Sequence, residues 1–143
     1  MKTNNDFGLL LIRLVIGFTM LIYGIGKLFY GLGFIKELLE LNGLPGFFAY
    51  GVYLGEIIAP LLIIAGYRIR LASLVLAFNM LVALLLTQTE FIFALNENGG
   101  WAVELLAIYI IVSIGLFFTG GGNIVLRPAR LTLWKERKQH IAE

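Results

Sequence analysis

Four apolar runs, at residues 7–29, 47–67, 71–91 and 101–119, are each close to the roughly 20 residues a helix needs to cross a bilayer, and this leaves few folds open. Backbone polar groups in lipid must find partners within their own segment, so the runs read as helices. The fold class is therefore all-α: a four-transmembrane-helix bundle forming a single membrane domain over 1–143. A water-soluble bundle would show a polar face on each helix, and the stretch "LVLAFNMLVALLL" at 74–86 has no such face. Hydrophobic residues make up 59% of the chain and charged ones 14%, more apolar than soluble domains usually are.

The first run is about twice the length of an ordinary signal-peptide core and lacks a small-residue cleavage pattern before "YGIGKLFYG", so it is expected to be retained as a helix. Cysteine is absent, which excludes disulfides, thiolate metal sites and iron–sulfur clusters held by this chain. The one histidine, His140, stands in the polar tail, and no metal site is expected. Any redox chemistry must then use electrons carried by a bound small molecule or by a partner subunit.

In a four-pass arrangement Lys2, Arg68, Arg70, Arg127, Arg130, Lys135, Arg137 and Lys138 fall on one side, with Arg13 near it, and only Lys27 and Lys36 on the other. The positive-inside rule assigns both termini and the "YRIRL" turn to the cytoplasm of a bacterial inner membrane. A net charge of +2, with cations scattered around membrane exits, does not suggest nucleic acid as a partner. The segment 33–42 has Phe34, Leu38 and Leu41 on one face and Lys36, Glu37 and Glu40 largely elsewhere, and it should lie along the outer interface. The tail 124–143, with Pro128 at an entry position and Trp134 as an anchor, reads equally as a basic interfacial segment or a plain polar tail.

"LIRLVIGFTMLI" from Leu11 and "LASLVLAFNMLV" from Leu71 match at six of twelve positions. "GEIIAPLLII" from Gly55 and "VELLAIYIIV" from Val103 share a glutamate and the alanine three residues later. If this echo is a repeat, two helix pairs are related in parallel about the membrane normal, and Glu56 and Glu104 become counterparts. An aromatic, Tyr53 or Trp101, precedes each glutamate by three residues, which should set both acids about one turn below the outer surface.

Arg13, Gly17, Met20, Gly24 and Lys27 follow one another at steps of four, three, four and three, so they form one stripe on the first helix. The two glycines permit close helix approach, and the stripe should face protein. Arg13 and Lys27 lie about 21 Å apart along the axis and cannot share a partner. Arg13 is expected to snorkel to headgroups or to cap the C-terminal ends of neighbouring helices. Lys27 is expected to meet Glu56 and Glu104 as a coupled cluster, either locking helix register or forming a substrate or proton site, with Tyr23, Tyr53 and Trp101 as aromatic walls. Pro60 removes the N–H that would bond the Glu56 carbonyl and should open the backbone there. Asn79 is expected to hydrogen-bond between helices.

"RLVIGFTMLIYGIGKL", "LGEIIAPLLIIAGYRIRLAS" and "GGWAVELL" together resemble the DoxX family of small bacterial membrane proteins, over nearly the whole chain. The resemblance implies membrane redox chemistry, since that family is named for a subunit of a thiosulfate:quinone oxidoreductase and related members are linked to oxidative stress. Quinone is then the implied cofactor, with none of the chain's own, and a redox subunit the implied partner beside lipid and a further copy of the chain. The residues leave open two other readings, a proton-coupled small-solute transporter and a non-catalytic membrane anchor.

Overall fold

The computed structural model describes residues 4–125. The expected tail, Trp134 and Pro128 included, lies outside the described residues, apart from Ile124 and Val125. The chain forms α1 (Asn5–Tyr30), a short α2 (Gly33–Leu41), a composite α3 (Gly46–Ala65), α4 (Ile69–Thr87) and α5 (Glu104–Thr119), with a 3-10 turn at Thr89–Phe91. The helices α1, α3 and α4 are long and apolar enough to cross a membrane, and α5 is shorter. The helices α1 and α4 both pack against α3, and α5 packs along α4.

Burial follows the helical period. On α1 the buried positions are Arg13, Ile16, Gly17, Met20 and Gly24: the expected stripe with Ile16 added and without Lys27, which is one-third exposed. Of these, Ile16 and Met20 meet Ala59 and Ile63 of α3, Leu76 and Met80 of α4, and Tyr109 and Leu116 of α5 in one core cluster. Outward positions such as Val15, Phe18, Ile22, Leu74 and Ile111 are large, apolar and exposed, as lipid-facing side chains should be.

Glycine sets how near α1 comes to α3. A Cβ on Gly24 would collide with the Glu56 carbonyl oxygen and Ile57, and one on Gly17 would collide with Ile64. At the other end of α3, Gly66 adopts a left-handed φ of 79° and closes the helix, with its N–H donating to Ile63 O at 3.2 Å and the Tyr67 N–H to Leu62 O at 3.0 Å.

Two expectations change. The fourth run was expected to be helical from residue 101, but α5 begins at Glu104. Asn96 is the cause: its Oδ1 accepts from the N–H of Asn98 at 3.1 Å and of Gly100 at 2.9 Å, a local turn that competes with helix. The turn pairs Leu95 with Trp101 as an isolated antiparallel bridge. The second change concerns α2: beside the expected apolar face it turns Ile35 and Leu39 inward, away from Phe34 and Leu41. Both of those are more than two-thirds exposed, so α2 is apolar on two sides, one against α3 and α4 and one outward.

Gly24→Ala is expected to cost about 1–3 kcal/mol through overpacking, read as a lower Tm in detergent. Gly26→Ala, where an added Cβ meets nothing within 4 Å, should stay within about 0.5 kcal/mol of the parent.

Candidate functional site

Pro60 lacks an N–H, so the carbonyl of Glu56 has no partner four residues on. The backbone responds with a π turn over Leu54–Ile58, in which the Ala59 N–H donates to Leu54 O. Wide turns of this kind often mark working sites. Here it contains Glu56, whose carbonyl faces the gap left by Gly24 on α1.

The Glu56 side chain is 3% exposed, and its Oε1 is ion-paired with the Nζ of Lys27, which is one-third exposed. Asn79 on α4 donates from Nδ2 to the same oxygen at 3.5 Å, a long contact. Gly55 makes this approach possible, because a Cβ there would overlap the Asn79 side chain. Glu56 Oε2 is buried and has no hydrogen-bond partner among the described residues. A charged oxygen in that state is costly, since isolated buried charge is far less stable than paired charge.

Beside the pair lies a chamber of about 120 Å³, bounded by Met20, Tyr23 and Lys27 of α1, Glu56 of α3, Met80 and Ala83 of α4, and Leu105, Leu106 and Tyr109 of α5. It has room for a few water molecules and offers polar groups to hold them.

Only some of the expected cluster assembles. Lys27, Glu56 and Tyr23 line the chamber. Tyr53 braces instead of lining: its hydroxyl donates to the Lys27 carbonyl at 3.3 Å, at the C-terminal end of α1. Glu104 does not join Lys27; it is exposed, in the first turn of α5, with its carboxylate against Gly100. Trp101 donates from Nε1 to Ile92 O at 2.6 Å within its own loop. The late start of α5 explains both, since it leaves Glu104 at a helix N-terminus, where a carboxylate complements the dipole. Glu56 and Glu104 are therefore not counterparts in environment.

In place of Glu104, α5 contributes Tyr109, which sequence reasoning missed. Its signal was the step of four then three from Tyr109 through Ser113 to Leu116, the same stripe logic that worked on α1, and all three are buried. Asn79, expected as an interhelical hydrogen bond, makes that bond to the site carboxylate itself.

Arg13, at the opposite end of α1, is 1% exposed and makes four hydrogen bonds. Its guanidinium donates to Ile63 O and Ile64 O, both at 2.9 Å, at the end of α3, and to Gly121 O at 2.9 Å and Ile124 O at 2.7 Å beyond α5. Asp6 adds to this clasp, accepting from the backbone and side chain of Asn123 at 2.9 and 3.0 Å. Arg13 is a capping residue in the sense expected, joining the chain ends of two helices.

Apolar helices surrounding one ion pair among the described residues define a helical membrane protein with a polar site inside its bundle. The sequence profile of the DoxX family matches residues 8–89, from α1 through the end of α4, and the chain belongs to that family. It is also 26% identical over 128 residues to the Bacillus subtilis (strain 168) protein named "Putative oxidoreductase CatD", covering 90% of each chain. No solved structure matches it.

Removing one partner of a buried pair strands the other charge, so Lys27→Met is expected to cost about 3–5 kcal/mol. The double variant Lys27→Met/Glu56→Gln should recover much of that loss. Thermal unfolding of the parent, Lys27→Met, Glu56→Gln and the double variant in one detergent checks the coupling.

Proposed function

We propose that the chain is a membrane subunit for redox chemistry with a lipid-soluble carrier of the quinone class, in which Lys27 and Glu56 serve the carrier's carbonyl group. The observation that carries this reading is the unpartnered Glu56 Oε2, buried beside an ammonium group that has further N–H donors to offer. A neutral carbonyl compound suits such a pair: Lys27 donates to the carbonyl oxygen, and Glu56 holds or releases a proton next to it. Reduction of a quinone consumes two electrons and two protons. The chain's carboxylate and chamber handle the protons, and a redox partner subunit supplies the electrons. Membership of the DoxX family and the oxidoreductase name given to the Bacillus relative support the class of chemistry.

The same carboxylate could instead carry protons with a solute, and one variant separates the two. In the assembly copurified from native membranes, together with its bound lipids, Glu56→Gln should slow quinone reduction about 100-fold or more while the protein still folds. Reduction at the parent rate would contradict the proposal. Proton-coupled flux in liposomes that Glu56→Gln abolishes would favour transport, and an oligomer isolated without quinone or redox subunit would favour a membrane anchor.

We place the protein in the bacterial inner membrane with both termini cytoplasmic, on the distribution of lysine and arginine. The absence of cysteine makes the check direct. A membrane-impermeant thiol reagent applied to intact spheroplasts should label Asn98→Cys, whereas Asn4→Cys should be labelled only after permeabilisation.

A further inference from the structure

A second and larger chamber, of about 320 Å³, lies under α2, between Leu39, the start of α3 at Phe48 and Val52, and Phe78 and Val82 of α4. Its size falls at the lower end of pockets that hold small molecules, about 300–1,000 Å³, whereas the chamber beside Lys27, at about 120 Å³, falls below it. Asn79 is the one polar residue that lines the larger chamber, and no charged residue does. Phe48 and Phe78, which help to line it, are each more than half exposed, so the chamber borders apolar outer surface of the kind that faces acyl chains.

Asn79 decides what belongs there. Its single side-chain hydrogen bond among the described residues runs from Nδ2 to Glu56 Oε1, leaving its Oδ1 and a second N–H to offer. A lipid acyl chain makes no use of an amide, and a polar group set against hydrocarbon is costly unless partnered. An ionic ligand would find no counter-charge. A hydroxyl donating to Oδ1, or a carbonyl accepting the second N–H, satisfies the amide.

We propose that the chamber beneath α2 binds the body of a neutral, lipid-soluble molecule bearing a ring carbonyl or hydroxyl, and that Asn79 is its polar contact. Asn79 and Glu56 then form the wall between two compartments. The apolar one holds the ligand, and the smaller one, with Lys27 and Tyr109, holds the protons. The proposal rests on the reading in which the ion pair serves a lipid-soluble carrier, and it moves that carrier's body to the far side of Glu56.

Photolabelling of the unmodified protein in phosphatidylcholine nanodiscs tests it, with two probes: an alkylated azidobenzoquinone, and a redox-inert azido-substituted aromatic ketone of similar size. Both should label peptides containing Phe48, Val52 or 78–82, in a saturable manner and with competition by unlabelled compound. Val82→Trp, which fills the chamber, should cut that labelling at least tenfold. Labels concentrated on Tyr23, Leu105 and Tyr109 would overturn the assignment while leaving the proposed function standing. Equal, uncompeted labelling by a photoreactive fatty acid would also overturn it, by showing an ordinary acyl chain in the space. Competed labelling of the apolar chamber by both probes, with quinone reduction indifferent to Glu56→Gln, would uphold the site and remove the redox function. Absence of saturable labelling by either probe would overturn both.

Discussion

A carboxylate inside a membrane-spanning helix must be reconciled with a solvent that cannot stabilise it. Insertion scales put an ionisable side chain near the bilayer centre at roughly 2.5–3.5 kcal/mol each, and the chain places Glu56 and Lys27 on neighbouring helices so that each offsets part of the other's cost. Much of the local architecture exists to bring them within reach. Pro60 widens the backbone into a π turn, Gly24 clears space for the Glu56 carbonyl, and Gly55 admits Asn79. Three residues without ordinary helical behaviour stand within one short stretch of two helices.

The two ends of α1 show how satisfaction separates a structural charge from a working one. Arg13 and Glu56 are equally hidden, yet Arg13 reaches four carbonyl oxygens across two chain segments. Four of the guanidinium's five N–H groups are taken by main-chain carbonyls, and its removal would strand several buried acceptors at once. Glu56 keeps one oxygen unpartnered among the described residues and borders an internal chamber. The first arrangement joins helix ends. The second resembles a site held ready.

The helical spans were legible because lipid permits so few backbone solutions, and a period of 3.6 residues with two glycines announced which side of α1 faces protein. The pairing of Lys27 with Glu56 was legible too, since both had to lie near the same depth. Glu104 was misjudged for a local reason: the hydrophobic run continued through Trp101, but the Asn96 side chain captured the backbone and delayed the helix by three residues. Depth reckoned from an aromatic anchor fails when that anchor belongs to a loop. Tyr109 was hidden by its surroundings, the one tyrosine of a helix with almost no apolar asymmetry. The chamber under α2 could not be read at all, because it is a space between elements and not a pattern within any of them.

The account stands or falls on contact between one ammonium and one carboxyl group in lipid. Solid-state NMR of the protein in bilayers, with the Lys27 side-chain nitrogen and the Glu56 carboxyl carbon isotopically labelled, measures that separation directly. The account predicts a dipolar coupling corresponding to ion-pair contact, about 4 Å or less, retained when Glu104 is replaced by glutamine. Absence of that coupling, with Lys27 coupled to Glu104 or to phosphate headgroups instead, would contradict it.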